Sequence, residues 1–240
     1  MSNKLNKDLS KKLYYFAAFD GYLQVQPKCV NARLNVTMTI EHSDYIYKVR
    51  DTLDELNIGH NVYVPKLQAK QVKQQLRIDS KTHPIFTAMQ KRIYLLGKKV
   101  IDPHMLTMMD AEALAIMYMA DGGKYCQSEN AEVQYRFFIN AYSYAEQALL
   151  KESIKRYLGL EVNIHRNKQY YQLSVPRAYS SMFEDIVSEW ILPSFKYRLG
   201  QQAPAKGGDI VCSAQECVEV SRDEKPRIDP RGLRVTKKTV

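Results

Sequence analysis

Apolar and polar positions along this chain switch between two periods, and the order of the switches occurs twice. Leu13-Tyr-Tyr-Phe-Ala-Ala-Phe-Asp20-Gly21 is an apolar run of helical character that ends in Asp-Gly. Leu114-Ala-Ile-Met-Tyr-Met-Ala-Asp121-Gly122 is a second one, with its acid 101 positions after the first. Each run is followed by two stretches of period two, which predict half-buried strands. They cover residues 22–26 and 33–40 in the first half, and 124–128 and 132–140 in the second. Helical patterns follow over residues 42–56 and 143–158, each stopping near a glycine, Gly59 and Gly159. More alternating stretches come next, 61–65 with 74–79 and 161–166 with 170–176, and a helical stretch closes each half at 84–96 and 177–190.

This shared order predicts an α+β fold of two pseudo-symmetric αββαββα repeats with antiparallel sheets. Chance similarity between two generic α+β patterns is the competing explanation. The halves are expected at residues 1–99 and 100–200. Residues 201–240, with Gly207-Gly208, scattered Pro and dense mixed charge, read as a flexible basic tail.

Composition narrows the class. Each half of the 240 residues is long enough for its own core. No apolar run approaches the roughly 20 residues that a membrane helix needs, and the polar N-terminus lacks a signal peptide's apolar centre. No membrane partner is expected, and the chain is placed in a bacterial or phage-infected cytoplasm or an organellar matrix. Cys29, Cys126, Cys212 and Cys217 show no CxxC spacing, so neither a zinc site nor a disulfide framework is indicated. The net charge of +9 favours a polyanionic partner, most simply nucleic acid.

The distribution of charge sharpens this. Between 33 and 40, Arg33, Asn35, Thr37 and Thr39 share one strand face, while Leu34, Val36, Met38 and Ile40 share the other. Gln24, Gln26 and Lys28 extend the polar face. Gln134 and Arg136, extended by Lys124, form the matching face in the second half. Lys66, Lys70, Lys73, Gln75 and Arg77 add a basic, amide-rich ribbon, and His165, Arg166 and Lys168 a polar turn in the corresponding place. Arg, Lys, Asn and Gln pair with base edges in the major groove, and an antiparallel sheet can lay such a face along it. A solvated sheet face is the plainer alternative.

Asp20 and Asp121 carry the candidate chemistry. An acid at a helix C-terminus is disfavoured by the helix dipole, and here one stands there twice. Two such acids, brought together where paired helices meet, suit divalent metal ions for phosphodiester hydrolysis. The helix-end carbonyls of Phe19 and Ala120 are candidate further ligands. Ordinary polar helix ends are the alternative.

At these residues the chain resembles the single-chain, double-motif LAGLIDADG homing endonucleases. The second motif matches at Leu114, Ala115, Ala120, Asp121 and Gly122; the first is more degenerate. Asp20-Gly21-Tyr22-Leu23, Lys98-Lys99, residues 119–124 and residues 192–199 also resemble an intron-encoded member. The resemblance covers about residues 10 to 200. It implies motif helices at the interface between the halves, and sheets that form a saddle over a long double-stranded DNA site. It also implies a monomer with internal pseudo-two-fold symmetry.

The motif acids would bind roughly two or three Mg²⁺ ions over the scissile phosphates, with Mn²⁺ as a substitute ion. By motif position, Lys99 and Arg198 would be the basic residues of the two active sites. Arg198 stands where a lysine is found in the intron-encoded relative; it can hold phosphate but cannot lose a proton. Tyr14, Tyr15 and Phe19 make the first motif bulkier than the family's small-residue pattern. Within the same resemblance, a maturase that binds intron RNA and a regulator that binds DNA without cutting are the alternatives; retention of both acids argues against the regulator. The two polar faces differ, so the half-sites are expected to differ.

Overall fold

The computed structural model describes residues 2–66, 73–125 and 133–200, with side chains from Lys7 onward. Helix α1 (Ser2–Ala18) starts well before its apolar motif. The chain continues through β1 (Tyr22–Val25), β2 (Ala32–Thr39), α2 (Ser43–Glu55), β3 (His60–Tyr63), β4 (Gln75–Ser80) and α3 (Pro84–Ile93). A hairpin, β5 (Tyr94–Leu95) with β6 (Lys98–Lys99), and one helical turn, α4 (Pro103–Leu106), lead to α5 (Ala111–Asp121). The pattern then recurs as β7 (Gly122–Tyr125), β8 (Gln134–Phe137), α6 (Tyr144–Leu158), β9 (Asn163–Asn167), β10 (Tyr170–Ser174) and α7 (Ser180–Val187). The sheet order β1-β2-β4-β3 is matched by β7-β8-β10-β9, and every pairing in both is antiparallel. This is the expected α+β architecture. Among the described residues no helix is long and apolar enough to cross a membrane.

Local chemistry explains the element ends. Ser143 and Glu146 form a capping box at the start of α6, and Gly159 ends that helix in the left-handed region at φ 66°. In the first half the left-handed stop is Asn57, at φ 55°, and not Gly59; Ile58 N–H then bonds back to Leu53 O. The helix expected to reach Leu96 ends at Ile93, because Leu96 and Gly97 both take positive φ and close a two-residue hairpin. Ile40, expected in the core, stands 43% exposed, since β2 gives way to a helical turn at Ile40–His42.

α5 is buried on every side from Glu112 to Met119, the signature of a central helix. It packs beside α1. Ion pairs give that packing a direction: Lys11 meets Asp110, and Glu112 meets both Lys12 and Lys48 at 3.2 Å. The bulky first motif is accommodated by the 102–109 segment. There the Tyr14 hydroxyl bonds Asp102 and the Tyr15 hydroxyl bonds Met105 O at 3.0 Å. Phe19 stacks on Tyr15 and meets Tyr142 edge-on.

The glycine after each acid is needed for space, not for a left-handed turn. Gly122 has φ −101°, ordinary extended backbone. A Cβ there would overlap the Tyr118 ring and carbonyl; at Gly21 it would lie 2.8 Å from Ala17 Cα, Phe16 O and Leu34. Helix end and strand start are pressed together, which turns the chain at the acid. Gly122→Ala is therefore expected to lower unfolding free energy by about 2–3 kcal/mol, measured by urea denaturation. Gly59→Ala, facing only the flexible Lys81 side chain at 3.1 Å, is expected to change it much less.

Candidate functional site

Asp20 and Asp121 lie at the neighbouring C-terminal ends of α1 and α5, and the surroundings disfavour charge on both. Burial raises Asp20 from 3.8 to about 6 against the opposing pull of Tyr45, Lys99 and Arg198. Burial, and then the charge of Asp20, raise Asp121 from 3.8 to about 7. The two titrate as a coupled pair, and both are held above the ordinary carboxylate range. Asp20 Oδ2 is buried without a hydrogen-bond partner. The Tyr45 hydroxyl stands close enough to influence Asp20, yet neither atom closes a well-formed hydrogen bond.

The two predicted basic residues arrive at matching places. Lys99 Nζ donates to the carbonyls of Ala18, Phe19 and Gly21 at 3.0, 3.1 and 2.6 Å, using all three of its hydrogens. Arg198 Nη1 donates to the carbonyls of Met119 and Gly122, both at 2.9 Å. Met119 and Gly122 stand 101 residues after Ala18 and Gly21. Each cation thus caps the helix end that bears an acid, satisfying carbonyls left open there and complementing the dipole. Burial lowers Lys99 to about 8, while Asp121 and Asp20 pull it upward. The Phe19 carbonyl, a candidate ligand, accepts from Lys99 in this state; Ala120, half-buried, lies between the two carbonyls that Arg198 holds.

Contacts across the molecule set the cations in position. Glu146, at the start of α6, accepts from Ile101 N at 3.0 Å, two residues past Lys99. Asp44, at the start of α2, accepts from Ser194 N at 2.9 Å, four residues before Arg198. Arg198 also lies over the Phe195 ring at 4.9 Å, and His42 stacks on that ring at 4.1 Å. Tyr142 adds a hydroxyl bond to Ala18 O at 2.7 Å.

Sequence reasoning missed Tyr45, Tyr142, Asp44 and Glu146. Tyr45 shares the apolar face of α2 with Ile46, Val49 and Leu53, so its pattern is that of a core residue. The partners of the others lie tens of residues away in the chain, beyond any local signal.

Two carboxyls with raised proton affinity, one of them with an orphaned oxygen, fit a small oxygen-seeking divalent cation. No group of three or more His, Cys, Asp or Glu among the described residues could hold a metal. Such an ion would have to complete its shell with backbone, water or phosphate oxygens.

The strand registers sort the remaining candidates. Tyr22 faces Asn35, Gln24 faces Arg33, Asn35 faces Asp79, Thr37 faces Arg77 and Thr39 faces Gln75, so all share the polar side. Asn61 and Tyr63 join them from β3. Gln24 Oε1 accepts from Arg33 at 3.1 Å, and the Gln26 amide, turned oxygen-inward, meets the same guanidinium. Asn35, expected on the wet face, is buried against Asp79.

In the second half Gln134 and Arg136 hold the polar face, with His165 opposite the buried Gln172. Lys124 faces Tyr135 and Arg166 faces Tyr171, on the opposite side of the sheet from Arg136. Lys124 leaves the expected face because Gly122-Gly123 opens β7, so Gly123 and Tyr125 take the polar-face positions; Arg166, expected in a turn, lies inside β9. Lys28 and Lys168 sit in turns with φ 67° and 54°. Lys66 is exposed beyond β3, Lys73 pairs with Glu41 at 3.1 Å, and Lys70 lies outside the described residues.

The acid pair makes stability depend on pH. A carboxyl whose folded value is raised binds more protons folded than unfolded. Its cost to the fold is therefore complete above about 7 and vanishes below about 4. At about 1.4 kcal/mol per unit, the upper limit for Asp121 is about 4 kcal/mol. Asp121→Asn is expected to stabilise the protein by about 1–3 kcal/mol at pH 8, with the gain shrinking as pH falls from 7 to 4. Denaturant titrations at pH 8 and 4.5 decide; an equal gain at both would exclude ionisation as its source.

Known proteins resemble this chain in sequence and fold. A family model described as the LAGLIDADG DNA endonuclease family matches residues 20–183. The cytochrome b mRNA maturase bI2 of Debaryomyces hansenii is 22% identical over 204 residues, covering 82% of this chain and 75% of that protein. The homing endonuclease I-WcaI, solved bound to its DNA recognition sequence, superposes with a TM-score of 0.68 at 20% identity, covering 83% of this chain and 88% of that one. Mesophilic variants of the homing endonuclease I-DmoI match at a TM-score of 0.49 and 17% identity, covering 75% and 95%. The chain, with its two acid-tipped helices side by side, belongs to the LAGLIDADG DNA endonuclease family as a single-chain, double-motif member.

Proposed function

We propose that this protein is a site-specific endonuclease that hydrolyses both strands of a long, asymmetric double-stranded DNA target with Mg²⁺. The pair Asp20 and Asp121 carries the reading: two buried acids at adjoining helix ends, with raised proton affinity and one oxygen left without a partner. Asp20 and Asp121 would hold the ions, with the carbonyls of Phe19 and Ala120 as candidate further ligands and Mn²⁺ as a substitute ion. Bound there, Mg²⁺ would supply Lewis-acid polarisation of the phosphodiester and a more acidic water.

The chain's own groups prepare that site. Lys99 and Arg198 hold the two helix ends and place two positive charges beside the scissile phosphates. Lys99, lowered to about 8, is able to exchange a proton near neutral pH, whereas Arg198 acts by charge alone. The two strands would then be cut at unequal rates. Residues 1–99 and 100–200 would each engage one half-site through a polar sheet face, as a monomer, and the difference between the faces makes the half-sites unlike.

A second reading has one specific support, the relative named as an mRNA maturase. On that reading the same protein would bind its intron RNA and assist splicing. Both acids are present, so the two activities are compatible in one chain.

The test is cleavage of a duplex obtained by selection from a random pool, with Mg²⁺ and with EDTA. Wild type is expected to cut both strands at one position only with the metal. Asp20→Asn and Asp121→Asn are expected to lose on the order of a hundredfold or more in rate while duplex binding survives. Wild-type binding without cutting would overturn the nuclease reading, and tighter binding to intron RNA than to duplex would establish the maturase one.

A further inference from the structure

The first sheet carries an acid in the middle of its polar face. Asp79 accepts from Asn35 Nδ2 at 2.6 Å, from Arg77 Nε at 2.6 Å and from the Tyr63 hydroxyl at 3.0 Å. Arg33 Nη1 lies 3.6 Å from Oδ2, the oxygen that accepts from Tyr63. One carboxylate on β4 therefore gathers side chains from β2, β3 and its own strand. These donors hold Asp79 below its ordinary value despite its burial, so it is charged at neutral pH.

The second sheet provides the contrast. Asn35 pairs across the ladder with Asp79, and Arg136, which pairs with Gly123 as Asn35 pairs with Tyr22, has Ser174 in that place. Without a carboxylate there, Arg136 lies over the Tyr125 ring at 4.0 Å and bonds Gln134 Oε1 at 3.1 Å.

A carboxylate on a face that meets a polyanion weakens attraction to phosphate, which is blind to sequence. The same carboxylate restrains guanidiniums that would otherwise swing toward any phosphate. The bond to Arg77 uses Nε, which leaves its two Nη donors for a fork on guanine O6 and N7.

We propose that Asp79 is a positioning residue that sets base selectivity in the first half-site, by holding Arg33, Arg77 and Asn35 in one arrangement and lowering unspecific attraction to phosphate. This rests on the reading that the polar sheet faces meet DNA bases.

The experiment is a binding selection in EDTA from a duplex pool randomised over about two helical turns. Wild type, Asp79→Asn and Asp79→Ser, the residue found at the second half's position, are compared. Arg136→Gln marks the base positions that the second half reads. Both Asp79 variants are expected to lose about tenfold or more of base discrimination at the unmarked positions and to keep it at the marked ones. Affinity for unselected duplex is expected to rise several-fold, with the salt dependence steeper by about one ion.

Unchanged preferences, or a loss spread equally over both half-sites, would overturn the proposal. So would melting of both unliganded variants at assay temperature, which would mark a structural role. A wild type with no base preference would instead overturn the DNA reading itself.

Discussion

The rest of the site depends on two acids held together against their mutual repulsion and their own burial. Asp20 and Asp121 occupy the carbonyl ends of two helices, where the backbone field adds to the difficulty. The fold meets this with one cation at each helix end. Lys99 closes on the carbonyls of Ala18, Phe19 and Gly21, and Arg198 on those of Met119 and Gly122. Neither cation forms a close ion pair with an acid. They neutralise the carbonyls around each carboxyl and leave the carboxyl oxygens for something else, which is why a divalent ion is the natural complement.

That arrangement is stabilised by contacts distant in the chain. The segment that delivers Lys99 is fastened to α6 through Glu146, and the segment near Arg198 is fastened to α2 through Asp44. Each helix end is therefore capped by a residue whose neighbours are tied to a distant helix. Together with the directional ion pairs of Lys11 and Lys12 with Asp110 and Glu112, this selects the pairing of α1 with α5 within one chain. The glycine after each acid completes the geometry by letting the strand start against the helix.

The polar faces follow a different logic in each half. The first gathers arginines around a carboxylate; the second leaves Arg136 on an aromatic ring. Two sheets of one topology thus present different chemistry, and the asymmetry lies in side chains, not in the backbone.

The amino-acid pattern by itself determined the duplicated α+β order, the two acid-tipped helices and most strand positions, because these rest on local periodicity. It also placed Lys99 and Arg198 near the acids, through resemblance to a family. Lys124 falls on the other face because a strand's face depends on where its ladder begins, and at β7 two glycines start that ladder; Arg166 belongs to β9 and not to a turn because the ladder with β10 extends past it. Ile40 and Gly59 escape the pattern because β2 gives way to a helical turn at Ile40, and the left-handed stop of α2 falls at Asn57, two residues before Gly59. Only tertiary structure decided the capping roles of Lys99 and Arg198, the burial that raises both acids, and the gathering of Arg33, Asn35, Tyr63 and Arg77 by Asp79. Each of these joins residues on different elements, several of them tens of residues apart in the chain, and depends on long-range packing that no local window of sequence contains.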